Sequence, residues 1–183
     1  MLYIIVALKS EAQAFVDKYK LQKLKIKKFT LYYGKDIVLI ISGIGVSFAR
    51  EATQTLINNF DIIEDEDIYL NIGICAANKQ YSLGQCLEIG SLTYHDITYT
   101  FKDALNLLCL DHASSDIKHN IVDMESYGFY DAIIHSPAIK NFHIIKIVSD
   151  HFEPYKITKD KSKNLIFNQI DVINKIIFQK EAL

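Results

Sequence analysis

The chain has 183 residues, half of them hydrophobic and 23% charged, and Tyr and Phe supply all of its aromatic content. That is the length of one ordinary domain with a real core, and the composition excludes a disordered or low-complexity chain. A net charge of −2 gives no strong field toward nucleic acid or anionic membrane, and with Arg50 the single Arg among 20 basic residues, forked Arg recognition of phosphate is excluded as the organising device.

Taken in order, Leu2–Ala7 is nearly all apolar and predicts a strand buried on both faces. Ser10, with Gln13 three residues on, reads as a capping box opening a helix to about Tyr19. Lys23–Tyr33 alternates and predicts one exposed antiparallel strand, turned by Gly34. Asp36–Ser42 predicts a second buried strand. Gly43-Ile44-Gly45 is a loop, followed by a helix over Val46–Phe60 with Phe48, Ala52, Leu56 and Ile57 inward. Asp61–Asp67 is an acidic loop. Ile68–Ile74, Cys86–Tyr94, Thr98–Phe101 and Leu105–Leu110 predict strands, and Met124–Ile134 a helix. His143–Val148 is a buried strand ending at Ser149-Asp150. Lys159–Phe178 is a closing helix with Leu165, Ile166, Ile170, Ile173 and Ile177 on one face.

Buried strands alternating with amphipathic helices predict a three-layer α/β sandwich around a mixed, largely parallel sheet. With no Gly/Ser/Pro-rich linker and no repeat, residues 1–183 read as a single domain. Cys75, Cys86 and Cys109 form no C-x-x-C pair and predict free thiols in a reducing cytoplasm. MLYIIVALKSE lacks a basic leader, and no apolar run reaches the length of a membrane span, so the expectation is a cytoplasmic protein without membrane or nucleic-acid partners.

In parallel sheets ligands bind beyond the carboxyl ends of the strands, which singles out the residues there. Glu11 falls in the first helical turn, where the helix dipole favours an anion. The Gly43–Gly45 loop opens a helix and has free N–H groups suited to an anion, although it lacks both G-x-G-x-x-G and a Walker lysine. Asn71-Ile72-Gly73-Ile74-Cys75-Ala76-Ala77 is small enough for a ligand or another backbone to come close; tight packing explains it equally well. Asp123-Met124-Glu125 starts a helix, where capping accounts for Asp123 better than for Glu125. Ser149-Asp150 closes the apolar strand IIKIVSD. Carboxylates meeting at such strand ends do not all ionise easily, so one keeps its proton and can serve as a general acid. The pairs His95-Asp96, Asp111-His112 and Asp150-His151 have no metal-ligand spacing, and no G-x-S-x-G elbow is present, so neither a metal, a cofactor nor a Ser hydrolase triad is expected.

The segments ALKSEAQAF, ISGIGVSFAREA, LNIGICAA, VDMESYGFYDA and IKIVSDHF, in this order from Met1 to about Phe152, resemble the nucleoside phosphorylase family. This is the family of purine and uridine phosphorylases and of methylthioadenosine/S-adenosylhomocysteine nucleosidase, and the similarity is closest to the nucleosidase branch. The resemblance implies that Glu11 positions an attacking water. It implies that Met124 and Glu125 bind the ribose and its hydroxyls, and that Ser149 and Asp150 lie at the purine, with Asp150 protonating N7. It also implies a homodimer in which Tyr94–Thr98 approaches the neighbouring subunit's site. The chain departs from the family in being short between Tyr94 and Val122, where LCLDHASS stands as a remnant of the base-covering segment. Ile74 replaces a small hydroxyl residue, Lys146 an Arg and Asp123 a Glu; Phe152 or Tyr155 stands in for the missing base-stacking aromatic.

The implied activity is hydrolysis of the N-ribosidic bond of a purine nucleoside or 5′-thionucleoside. The chemistry agrees with the residues: a leaving purine needs a proton, and an oxocarbenium-like sugar needs nearby anions. Two alternatives stay open, a phosphorylase using phosphate and a non-catalytic nucleoside-binding protein. Asn71 stands where a phosphorylase would offer Arg.

Overall fold

The computed structural model describes residues 1–178. In chain order the elements are β1 (Leu2–Val6), α1 (Lys9–Tyr19), β2 (Gln22–Ile26), β3 (Phe29–Tyr33), β4 (Ile37–Ile41), α2 (Val46–Asn59) and β5 (Ile68–Ala77). There follow β6 (Cys86–Tyr94), β7 (Ile97–Thr100), β8 (Leu105–Cys109), β9 (Ile121–Asp123), α3 (Ser126–Ile134), β10 (Asn141–Asp150), a short 3₁₀ turn (Pro154–Lys156) and α4 (Lys159–Phe178).

The expected three-layer sandwich around a mixed, largely parallel sheet is corrected in two respects. First, the sheet closes on itself: β5, β10, β6, β8 and β9 pair in a ring, because β10 binds both β5 and β6 while β9 binds both β8 and β5. An arm of β1, β4, β3 and β2 leaves the ring at β5, and β7 pairs with β6. Second, five of the ten pairings among the described residues are antiparallel, so the sheet is evenly mixed. Closure needs the three-residue β9, too short to stand out as an apolar run in the sequence.

The periodicity of β1 shows how the arm is buried. Tyr3 and Ile5 enter a core with Leu56 of α2 and Phe129 of α3. Leu2, Ile4 and Val6 face Phe15 of α1 and Ile166, Ile170 and Ile173 of α4. A strand covered on both faces has no need of polar alternation, which is why it reads as a continuous apolar run.

Other expectations change locally. Lys23–Tyr33 is a hairpin, β2 and β3, turned at Lys27 in the left-handed region (φ 53°). Phe48 is half exposed instead of inward, its ring under the Lys28 ammonium, while Ala52 and Leu56 are fully buried as the helical period requires. Arg50 is half-buried and bound to Asp131 on α3 (2.6 Å). No described helix is long and apolar enough to cross a membrane.

Helices α2 and α3 approach most closely at Gly128, where a Cβ would lie 2.0 Å from the Val46 carbonyl oxygen and 3.0 Å from the Arg50 nitrogen. Both contacts are backbone and cannot rotate away. Gly128→Ala is therefore expected to force the helices apart and to cost about 3 kcal/mol of unfolding free energy, measurable by urea titration. A loss below about 0.5 kcal/mol would contradict the close approach.

Candidate active site

The site begins with a gap in a strand edge. Along one edge of β5, β1 pairs as far as Asn71 and β9 pairs only from Ala76. Between them Ile74 has no strand partner on that side, and its N–H donates to Glu11 Oε1 (3.0 Å). Glu11 Oε2 accepts the N–H groups of Ala7 (3.0 Å) and Leu8 (2.8 Å), where β1 turns into α1. This N-terminal bond replaces the capping box expected from Ser10 and Gln13; α1 starts one residue earlier, at Lys9. Gly73 leaves room for the carboxylate, since a Cβ there would lie 3.1 Å from Oε1. What the small residues of β5 admit is thus the side chain of Glu11. The carboxyl is fully buried, and burial pushes its pKa above the usual range against the three N–H bonds and the Lys146 charge.

A cavity of about 320 Å³ opens at this gap. Glu11, Ile74, Asp123, Met124, Glu125, Ser149 and Asp150 all line it, so seven of the residues singled out in the sequence come together. Lys146 and Phe152 are not in its wall. Lys146 lies beneath, fully buried. Phe152 is buried in the left-handed region (φ 64°) against the ring of His119 and offers no stacking face. Tyr155, the other aromatic considered, is largely exposed and also outside the wall. Sequence reasoning passed over Ile44, Pro154 and Ile157, whose place in the wall comes from loop paths with no periodic signal. Leu110, His112, Ala113 and Ser114 do line the cavity, as a remnant of a base-covering segment would.

Glu125 stands at the start of α3, outside the helical residues, and accepts the Gly45 N–H (2.9 Å). The glycine loop before α2 therefore does hold an anion, one supplied by the chain itself. Burial, then the Asp123 charge, lifts the Glu125 pKa to about 7, opposed by Lys146 and the Gly45 N–H and helped upward by Glu11.

Asp150 ends β10 just past a bulge: Val148 pairs with Cys75 and Asp150 with Ala76, leaving Ser149 extra. Its Oδ1 accepts the Glu153 N–H (2.7 Å), fastening the 3₁₀ turn that brings Pro154 to the cavity. Its Oδ2 lies 2.7 Å from the Ser149 hydroxyl, which is also 3.0 Å from the Cys75 carbonyl oxygen. When Asp150 is ionised the hydroxyl can donate to it. When Asp150 is protonated the hydroxyl can turn to Cys75 and accept. Both charge states are satisfied in place, as a proton donor requires.

Under the cavity floor Lys146 Nζ donates to Asn71 Oδ1 (2.7 Å) and to Asp123 Oδ2 (2.8 Å). Asp123 also accepts the Ser126 N–H (3.0 Å), which is the capping role expected of it. Burial alone would lower the Lys146 pKa, but Asp123, Glu125 and Glu11 together raise it, so the ammonium keeps its charge. None of the cavity's lining residues is Lys or Arg. Among the described residues no cluster of three His, Cys, Asp or Glu is placed to hold a metal, and the three cysteines are free.

No family model and no curated protein matches this sequence. Solved structures do match across nearly its whole length. A 5′-methylthioadenosine/S-adenosylhomocysteine nucleosidase from Colwellia psychrerythraea, solved with adenine, aligns with TM-score 0.73 at 18% identity over 93% of this chain and 94% of that one. The fold is that of the nucleosidases. Futalosine hydrolase of Helicobacter pylori aligns with TM-score 0.73 at 12% identity over 93% of this chain and 97% of its own. The 5′-methylthioadenosine nucleosidase of Arabidopsis thaliana aligns with TM-score 0.72 at 17% identity over 94% and 95%. At the level of the fold this agrees with the resemblance read from the five sequence segments.

The raised pKa of Glu125 fixes a sign for stability. Its folded value, about 7, exceeds the ordinary 4.5, so the native state binds the proton more tightly than the unfolded chain. Stability from this group is present below the lower value and is lost as pH rises through 7. Glu125→Gln keeps the acceptor for Gly45 and removes the charge. It is expected to stabilise the protein at pH 8 by roughly 2 kcal/mol and to change little at pH 4.5, read by denaturant unfolding at the two values. Equal effects at both pH values would show that the carboxylate is not raised.

Proposed function

We propose that this protein is a nucleosidase that hydrolyses the N-ribosidic bond of a purine nucleoside or 5′-thionucleoside in the cytoplasm. The observation that carries the reading is the convergence of Glu11, Glu125 and Asp150 on one cavity with no cation in its wall. Carboxylates around a sugar stabilise positive charge developing at C1′, and they act more strongly in a dry site than in water. Asp150 gives its proton to N7 of the leaving purine, with Ser149 turning to follow the change of charge. Glu11, held rigid by three N–H groups, receives the attacking water and draws its proton as the bond to C1′ forms. Glu125, beside Met124, accepts hydrogen bonds from the ribose hydroxyls.

The same geometry favours water over phosphate. A dianion would enter a wall without Lys or Arg. Arg50 is spent on Asp131, and the Gly45 N–H on Glu125. The test is a panel of purine nucleosides and thionucleosides assayed for free base with and without phosphate. Release that is independent of phosphate, with free ribose or a free thioribose as the second product, supports the reading. Release only with phosphate, giving the sugar 1-phosphate, would make the protein a phosphorylase. Asp150→Asn should lower turnover 10²–10⁴-fold while leaving the thermal midpoint unchanged. Near-normal turnover in that variant would remove Asp150 from its role.

We also propose a homodimer. Tyr94, Tyr127, Tyr99, Tyr130, Phe101 and Phe142 form a continuous run of ring contacts across β6, β7 and the residue after it, α3 and the start of β10, with Ile97 of β7 more than half exposed. A second copy of that face would cover it, as an isologous interface does. Light scattering at micromolar concentration should give twice the chain mass, and Ile97→Lys should shift the protein toward monomer; a monomeric wild type would refute the interface.

A further inference from the structure

Asn71 belongs to none of the roles above, yet it is fully buried and bonds to three other elements. It sits on β5. Its Nδ2 donates to the Ile5 carbonyl of β1 (3.4 Å), and its Oδ1 accepts from Lys146 of β10 (2.7 Å) and from the Ser126 hydroxyl of α3 (3.4 Å). The ammonium has only hydrogens to offer, so the amide is oriented by its partner: oxygen toward Lys146, nitrogen toward β1.

Lys146 stands among Asp123 of β9, Glu125 at the start of α3 and Glu11 of α1. Asp123 alone would draw the ammonium to one side, since Oδ2 is an ionic partner at 2.8 Å. The neutral carboxamide on β5 supplies a second acceptor without adding a negative charge. Two fixed acceptors leave the third N–H and the field of the charge toward the cavity carboxylates.

We propose that Asn71 is the positioning residue of this site, its carboxamide fixing where the buried Lys146 charge stands so that it serves Glu125 and Glu11 as well as Asp123. The role rests on the nucleosidase reading, in which both cavity carboxylates work as anions. An aspartate of the same size at position 71 would keep the hydrogen bond but cancel the charge. A serine would be too short to reach Lys146 and would leave the ammonium to Asp123. In either case Glu125 loses support for its ionised form. The groups that bear on Glu125 are Asp123, Lys146, the Gly45 N–H and Glu11; none of these residues is itself replaced, and the substitutions reach Glu125 through Lys146.

The experiment titrates the Glu125 carboxyl by ¹³C NMR in the whole protein without any nucleoside, its resonance assigned by its loss in Glu125→Gln. The wild-type midpoint is expected near 7. Asn71→Asp should raise it by about one unit or more, and Asn71→Ser should raise it by a smaller amount. Lys146→Met sets the ceiling. In activity, the acid limb of the pH profile should move up with the NMR midpoint while the alkaline limb stays in place. A residue that merely filled space would lower activity equally at every pH. Midpoints within about 0.3 units of wild type in folded Asn71→Asp and Asn71→Ser would overturn the proposal, as would failure of both variants to fold, which would make Asn71 a structural residue. Because the titration needs no turnover, a protein that releases no base but shows the shifted midpoints refutes the enzymatic reading alone.

Discussion

The site depends on one edge of one strand. β5 is ten residues long, and its two partners on that edge leave four residues, 72–75, between them. A buried N–H without a partner costs about as much as a lost hydrogen bond, so the gap at Ile74 demands an acceptor. Glu11 supplies it from the first turn of α1, two backbone donors of the β1–α1 turn hold its other oxygen, and a carboxylate is thereby buried. A buried carboxylate in turn needs positive charge nearby or it gains a proton. Lys146 provides the charge from the neighbouring strand, and Asp123 and Asn71 then hold Lys146. The gap, the acid, the base and its holders form one chain of requirements, each set by the one before.

Closing the ring brings Asp150 to the same place. β10 lies on the opposite edge of β5 and runs parallel with it for most of its length. In regular alternation Ser149 and Asp150 would point to opposite faces. The extra residue at the bulge re-aims the strand end, and both side chains turn to the cavity. The antiparallel bond of β10 to β6 fixes the strand from its other side, so the bulge cannot relax by sliding. A general acid has to be within hydrogen-bond reach of its target before its pKa matters, and the sheet sets that reach.

Much of this was legible in the sequence. The apolar runs located β1, β4, β5 and β10, and the rule that ligands bind past strand ends picked out Glu11, Glu125 and Asp150 before any coordinate was known. What escaped notice shares one physical feature, a dependence on partners far along the chain. β9 is three residues long and exists because β5 and β8 flank it. The hairpin within Lys23–Tyr33 turns on a left-handed lysine, not on Gly or Asn, so no turn residue marks it. Phe48 satisfies the helical period for an inward face, but the neighbouring hairpin leaves it only a lysine to pack on. Phe152 follows Asp150 closely enough to pass for a wall of the cavity, and its backbone conformation sends it elsewhere. Asn71 and Lys146 sit within apolar strands, where the pattern alone marks them as exceptions without naming what they bind.

In the hydrolase reading proposed above, the glycine loop before α2 counts against phosphate even though the local motif suits an anion. Gly43 and Gly45 take positive φ values, as a strand-to-helix turn of this shape requires, and the helix start offers N–H groups to whatever negative group is close. In a phosphate-binding protein that group arrives with the ligand. Here Glu125 comes from eighty residues away and occupies the Gly45 N–H at 2.9 Å. The carboxylate gains a fixed donor, and the wall gains a negative charge where a phosphate would have to stand. A dianion approaching Glu11 and Glu125 would meet repulsion that low dielectric strengthens when these are ionised, with the nearest Lys already bonded to Asp123 and Asn71. A water molecule meets no such penalty and finds acceptors on every side. The chain thus turns a common anion-binding turn into a means of holding its own carboxylate, and the proposed preference for water rests on which charges are already in the wall.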